Sequence, residues 1–362
     1  MLNLTSSRVP SFQVLVNGSP LPADAARDLL AASVLEDTTA PSMFTLTLVN
    51  WDMNRLKVTW ADSDLMREGN EVEVQMGYVD DYKTLLIGEI TGLEPEFLVD
   101  EVPKLVVRGY DRRHRLMRGH HTRTFVQVKD SDIVSQLASA AGLTAEVTDT
   151  EILREYVLQH NQTDLDFIQQ RARYIGYELL VEDKTLIFRP IQANERSEVT
   201  LDRVQNLLSF CPRLSTLAQV SEAQVRGWSV PDKTDLISQT GAGQAGAMGN
   251  EASGPTVVKN SLGTVATVMV DHPIANQAEA DQLSQGTLKR KALSYISGDA
   301  TCVGRTDLHA GMVVDIDGVG KRFGGVMDGA ARSVGLSVDV VEVVGLEHVP
   351  TTARSVRTAA MI

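Results

Sequence analysis

Gln159-His160-Asn161-Gln162-Thr163-Asp164-Leu165-Asp166-Phe167-Ile168, running on to Tyr174-Ile175-Gly176-Tyr177-Glu178-Leu179, reads as a strand end, a capped helix and a return to strand. Thr163 suits the N-cap, because its hydroxyl can accept a free amide of the first turn. Asp166, three residues on, sits where the reciprocal acid of a capping box belongs, one methylene shorter than the usual Glu. Leu165, Ile168, Ala172 and Ile175 recur at helical spacing, and Gly176 stands where a helix commonly stops in a left-handed conformation. Phe167 and Ile168 are expected in the core of this region. Nothing in the stretch is a nucleophile, a metal cluster or a phosphate loop, so it speaks of architecture rather than chemistry.

Around this stretch, residues 125 to 190 read as a compact α+β unit. Asp130 or Ser131 can cap a helix with Ile133, Val134, Leu137, Ala138 and Ala141 on one face, ending at Gly142. After the Thr163 helix comes a strand pair, Tyr177 to Val181 and Leu186 to Arg189, with Glu182-Asp183-Lys184 as the turn. Upstream, residues 12 to 110 are mostly β. Phe12-Gln13-Val14-Leu15-Val16 alternates ahead of the hairpin signal Asn17-Gly18. Phe44 to Val49 and Val72 to Met76 alternate as well, and Leu85 to Ile90 and Lys104 to Arg108 complete a set spaced as in a small barrel or sandwich.

Downstream, residues 200 to 324 return to β, with Ala218 to Trp228 as one strand and Gly311 to Gly318 as a strand and turn. Ala275 to Ile296 reads as helix, weakened at Gly286. Gly241 to Gly254 holds five glycines in fourteen residues and no aromatic, which predicts a mobile loop. An internal echo links Gly69-Asn70-Glu71-Val72-Glu73-Val74 to Gly311-Met312-Val313-Val314-Asp315-Ile316, each followed later by a strand meeting glycine.

The fold class expected is α+β, mainly β: two small β-barrel domains with an inserted α+β region. The barrels are placed at residues 1–115 and 196–324, the insert at 116–195 and an atypical tail at 325–362. At 362 residues, 43% of them hydrophobic, the chain has enough apolar surface for two to four domains. A net charge of -13 disfavours duplex nucleic acid as the main partner. Cys211 and Cys302, far apart and without metal spacing, read as buried free thiols. Met1 to Pro10 shows no basic region followed by an apolar block, and no apolar run is long enough to span a bilayer. The expected site of assembly is therefore the cytoplasm.

The densest basic segment is Arg108, Arg112, Arg113, Arg115, Arg118 and Arg123, with His114, His120 and His121. It is open to anion binding, nucleic-acid contact, an ion-pair seam between subunits, or a solvated face. His120 and His121 are adjacent and point to opposite faces of a strand, a poor start for a metal site. The D-x-D pairs Asp62/Asp64 and Asp164/Asp166 lack the glycine and terminal Glu of a calcium loop, and acids in a first helical turn favour the helix dipole. No G-x-S-x-G, no cysteine in a catalytic setting, and no phosphate-cradling loop occurs. No catalytic, cofactor-binding or metal residue is assigned, and no enzyme activity is expected.

Five phrases in order resemble the phage late control protein D family. They are Val107-Arg108-Gly109-Tyr110-Asp111-Arg112-Arg113-His114-Arg115-Leu116-Met117-Arg118, the helix of Ile133 to Leu143, the 159 to 189 segment, Val225-Arg226-Gly227-Trp228, and Gly298-Asp299-Ala300 with Gly311 to Phe323. The resemblance covers about residues 12 to 324. It implies a homotrimeric baseplate hub, related to the first part of type VI secretion spike proteins. Two barrels per chain would let three chains imitate six and adapt a six-fold tail tube to a three-fold spike.

The expected partners are copies of itself, a separate spike protein, tail tube or tube-initiator proteins and other baseplate proteins, with no specific nucleic acid. The spike is expected on another chain because residue 362 comes too early for a spike barrel and needle. Gly324 to Ile362 departs from the family in holding no aromatic residue, though Ser337 to Val344 has a strand pattern. Within the hub reading the arginine segment is assigned to the subunit interface, and the protein to a phage virion or injection-system particle. The rival readings are a tail-associated peptidoglycan hydrolase, which needs an acidic pair or triad in one cleft, and a receptor- or carbohydrate-binding tail module. The second should display surface aromatics, and only 5% of the residues are aromatic.

Overall fold

The computed structural model describes residues 10–78, 81–191, 197, 199–230, 232–246, 252–328, 337–344 and 358–361. Strands β1 (Pro10–Val16) and β2 (Ser19–Pro20) turn at Asn17 and Gly18, with φ of 50° and 74°, the positive values that a two-residue hairpin turn requires. A short helix, α1 (Ala23–Asp28), leads to β3 (Leu29–Asp37) and β4 (Met43–Val49). The small pair β5 (Trp51–Asp52) and β6 (Lys57–Val58) precedes β7 (Glu71–Tyr78), β8 (Asp81–Glu96) and β9 (Lys104–Tyr110). In β4 and β9, intermediate and buried side chains alternate strictly, so one face of each strand feeds a core around Phe44, Leu46, Val72, Val74 and Val107.

The inserted region runs β10 (His121–Lys129), α2 (Asp130–Ala140), β11 (Thr144–Val147), β12 (Leu153–Gln162), α3 (Asp164–Ile175), β13 (Tyr177–Glu182) and β14 (Thr185–Pro190). Helix α3 starts and stops where its sequence demands. The Thr163 hydroxyl accepts the Asp166 amide at 3.1 Å and donates to the Asp166 carboxylate at 2.7 Å. Gly176 closes the helix at φ 70°, its amide bonded to the Ala172 carbonyl. Leu165, Phe167, Ile168, Ala172 and Ile175 are all buried, against α2 and the β13–β14 hairpin. Helix α2 departs in one detail. It begins at Asp130 itself, and Asp132 accepts the Lys129 amide at 3.3 Å, because the Asp130 carboxylate is taken up by two arginines.

The remaining elements are β15 (Val199–Asp202), β16 (Leu207–Leu214), β17 (Glu222–Ser229), β18 (Thr234–Gly241), α4 (Gly254–Leu262), β19 (Ala266–Met269), α5 (Gln277–Leu293), β20 (Ile296–Cys302), β21 (Val313–Asp317), β22 (Gly325–Asp328), β23 (Ser337–Val344) and β24 (Thr358–Met361). The mainly β, α+β class is as read from the sequence, but the strands are shared differently. One sheet of eleven strands runs β16-β20-β24-β23-β3-β4-β9-β8-β7-β1-β2. Every neighbouring pair in it is antiparallel.

The segment 325–362, expected as a tail, supplies β23 and β24 to the middle of this sheet. The open edges of β3 and β20 offer unpaired backbone groups, and β23 and β24 fill both. The other C-terminal strands fall into β15-β21-β22 and β18-β17-β19. The internal echo reaches one hairpin only. β7 lies between two antiparallel neighbours, whereas β21 is parallel to β15 and antiparallel to β22.

Two further expectations change, and the glycine-rich stretch is described only in part. Residues 247–251 of the glycine-rich stretch lie outside the described residues, but Gly241 ends β18, Ala242–Gln244 form a 3-10 turn and Gly254 opens α4. Proline is favoured in a first helical turn, and Pro255 supplies the start signal of α4. Cys302 is buried but Cys211 is exposed, because it lies on β16, the outermost strand of the sheet. Gly286 is a point of contact rather than a weak spot in α5. A Cβ there would lie 2.7 Å from the Tyr174 carbonyl oxygen and 2.8 Å from the Gly176 nitrogen, so α3 and α5 meet backbone to backbone. In an open helix Gly→Ala gains about 1 kcal/mol. Here Gly286→Ala is expected to lower stability by about 1–3 kcal/mol through overpacking. A rise in the urea midpoint would reject that contact.

Candidate functional site

The basic segment follows β9 as a 3-10 helix, Arg112–Met117, and Asp111 supplies its cap, accepting the Arg113 amide at 2.8 Å. This turn drops Arg112 and Arg113 into the interior, where they are 1% and 2% exposed. The Arg112 guanidinium bonds Glu71 of β7 and Asp183 of the β13–β14 turn, with Glu89 of β8 at 3.6 Å. Arg113 grips Asp111 through Nε at 2.9 Å and Nη2 at 2.7 Å, and Nη2 also donates to Ser42 Oγ and the Asp37 carbonyl. The Asp111 carboxylate also accepts the Ser42 amide at 2.7 Å. His114 meets Glu89 at 2.8 Å, Arg115 also binds Glu89, and Arg115 Nη1 donates to the Ala141 carbonyl. Burial pushes the Glu89 carboxyl up, but hydrogen bonds from Arg115 and His114 outweigh it and leave its pKa below the ordinary value.

These contacts correct the interface assignment for Arg112 and Arg113. Both are enclosed within one chain and joined to its own carboxylates, so reversing their charge would disturb folding before it reported on assembly. Arg123 bonds Asp164 and Gln159 across the β12–α3 corner, and Arg108 bonds Glu94 at 2.8 Å on the exposed face of β9. Arg115 remains partly exposed, and Arg118 points to solvent near His114. The junction thus pins the first β region to the insert. Most of its polar groups are engaged in holding it together, though Arg112 Nε and Arg113 Nη1 are buried without a hydrogen-bond partner.

A second junction ties the insert to α5. Asp130, fully buried, accepts from Arg171 Nε at 2.6 Å and Arg154 Nε at 3.2 Å. Arg154 also lies 3.5 Å from Glu279 and donates to Gln282 at 2.7 Å. No sequence motif marked this set, because its members are spread from residue 130 to residue 282. Beside it a cavity of about 560 Å³ lies between β12, α3 and the start of α5, lined by Tyr156, Phe167, Tyr174, His272 and Ile274.

A third contact joins β3 to the C-terminal region. Glu36 accepts from His309 Nδ1 at 2.9 Å and from the Ala310 amide at 2.7 Å. The bond to Glu36 raises the His309 pKa, against burial, which lowers it. A cavity of about 590 Å³ opens here, lined in part by Glu36, Asp37, Arg113, Glu182, Asp183 and His309. His120 and His121 are both exposed. Among the described residues no three His, Cys, Asp or Glu converge as a metal site would need, and no helix is long and apolar enough to cross a membrane.

The chain belongs to the Alg8 N-terminal domain family, whose model matches residues 6–328. Its fold is similar to that of the 43 kDa tail protein of prophage MuSo2 from Shewanella oneidensis, at 13% identity and a TM-score of 0.64, covering 88% of this chain and 92% of that one. It is likewise similar to a tail protein from Neisseria meningitidis MC58, at 13% identity and a TM-score of 0.60, covering 88% of each chain. Prophage tail protein gp18 from Listeria monocytogenes EGD-e matches at 12% identity and a TM-score of 0.57, over 97% of this chain and 94% of that one. At these identities the likeness is one of fold. No curated protein matches the sequence.

Proposed function

We propose that this chain is a non-enzymatic, structural hub subunit in the baseplate of a phage tail or contractile injection system, as its resemblance to late control protein D implies. The observation that carries the reading is the eleven-stranded sheet. It draws strands from both β regions of one chain and ends in two dissimilar edges, β16 and β2. Unpaired strand edges are templates for pairing with another chain. A contact between two different edges is heterologous, and such contacts close into rings when the rotation permits. Three copies closing in this way would form a hollow hub with a β wall, above a spike carried on a separate chain and below tube or tube-initiator proteins. The likeness of fold to tail proteins supports this setting, with assembly in the cytoplasm and a final place in the particle.

The hub reading predicts a trimer. Light scattering of the purified chain, alone or with its spike, should give three times the subunit mass of 39.4 kDa. A protein that stays monomeric in both conditions and in the assembled baseplate would rule the hub out.

A further inference from the structure

Glu36 stands on the buried face of β3, in line with Ala32 and Val34, and is only 7% exposed. A carboxylate in such a place is costly to bury unless a cation and hydrogen bonds meet it. Both come from one turn of the C-terminal region. His309 Nδ1 lies 2.9 Å from Glu36 Oε1, and the Ala310 amide donates to Oε2 at 2.7 Å. Leu308, next to the histidine, belongs to the C-terminal core with Leu201, Leu293 and Ile316, while Ala32 and Val34 belong to the core of the first β region. The contact therefore links two separate cores through one charged pair.

The groups around His309 favour its protonated form. Its own turn brings Asp307, bonded to Arg305 at 2.6 Å. The neighbouring cavity is lined by the carboxylates of Glu36, Asp37, Glu146, Glu182 and Asp183. Of these, Asp37 accepts the Thr39 and Ala40 amides, and Asp183 is bonded to Arg112. Arg113, a cation in the same lining, is already bound to Asp111 at 2.7 Å. Glu178 of β13 stands near Gly311 and is bonded to Arg189 at 2.8 Å. β23 flanks β3, with Val338 opposite Glu36. The hydrogen bond to Glu36 raises the His309 pKa, burial lowers it, and the charges of Glu36, Glu182 and Asp307 add to the rise.

We propose that His309 and Glu36 form a proton-linked latch between the C-terminal region and β3, which holds while the histidine carries its proton and loosens when that proton is lost. The neutral ring can still donate from Nδ1, so the bond loses its charge rather than its geometry. What remains is a buried carboxylate with other carboxylates across one cavity and no cation of its own, a less stable arrangement. The direction follows from linkage. A group whose pKa is higher in the folded than in the unfolded chain contributes fully below its unfolded value, about 6.5 for histidine, and progressively less as pH rises through the folded value. The latch is thus set in mildly acid solution and released in mildly alkaline solution.

The test melts the full chain at constant ionic strength from about pH 6 to about pH 9, a span that brackets a raised histidine pKa. His309→Asn is the comparison, because its amide can replace the Nδ1 donor without a charge. At the acid end the parent should melt a few degrees above this variant, and the difference should close toward the alkaline end. In a Glu36→Gln background, His309→Asn should have no pH-dependent effect. If a variant fails to fold, the titration of the histidine in the parent decides. Followed by nuclear magnetic resonance of the histidine-labelled chain, His309 should lose its proton at a higher pH than the exposed His120 and His121. A melting difference that stays constant or widens with pH would overturn the latch. So would a His309 that titrates with the exposed histidines or below them.

Discussion

Phe167→Ala lowers the unfolding free energy by about 3–5 kcal/mol, the range for truncating a fully buried aromatic ring. Phe167 is 1% exposed on the inner face of α3 and stacks on Phe125 of β10, with ring centroids 5.8 Å apart and planes 10° from parallel. The loss therefore combines buried area, a cavity that α3 cannot close without leaving its Thr163 cap, and the aromatic pair itself, worth about 0.5–1.5 kcal/mol. Urea denaturation followed by circular dichroism reads the change as a lower midpoint at an unchanged slope. Phe167→Leu, which keeps most of the volume, should cost clearly less. A Phe167→Ala protein within 1 kcal/mol of the parent would mean that α3 is not the core of the insert.

Asp130→Ala is expected to cost about 3–5 kcal/mol, the penalty for breaking a buried ion pair from one side. The carboxylate is the shared partner of Arg154 and Arg171, and its removal strands two guanidinium groups between α2, β12, α3 and α5. The effect should have a direction in space. Hydrogen exchange should rise first along α5 and β12, where the insert and the C-terminal region are joined, and last in the β4–β9 core. A second variant separates charge from packing. Replacing Asp130, Arg154 and Arg171 together by apolar residues should recover most of the loss, because well-packed apolar groups often equal a buried ionic set. If the triple variant is no more stable than Asp130→Ala, the network is not the source of the effect.

The arginine segment shows where a sequence reading stops. Six arginines set the segment apart in an acidic chain, and in the fold four of them lie at the junction of the first β region with the insert, pairing with carboxylates or lying beside it. Which carboxylates meet them depends on residues 41 and 71 positions away from Arg112, at Glu71 and Asp183. Nothing local says whether such partners lie in the same chain or in a neighbour. The Asp130 network left no local trace, because its members are spaced by folding rather than by a motif.

The sequence by itself determined the elements whose energetics are local. Helix α3 is written in Thr163, Asp166, its apolar stripe and Gly176, all within one turn of the groups they satisfy. The β1–β2 turn is written in Asn17 and Gly18, and the β13–β14 hairpin in two apolar-rich runs around a polar turn. The tertiary structure alone decided strand partnership. Alternation says that a strand has a buried face but not which edge it pairs with, so Ser337–Val344 was legible as a strand but its place beside β3 was not. Thr358–Met361 has no strand signal of its own and is ordered by the two edges it bridges, β20 and β23. Gly286 makes the same point. Read along the chain it lowers helix propensity; in three dimensions it is where the α3 backbone rests on α5, a contact that no periodicity encodes.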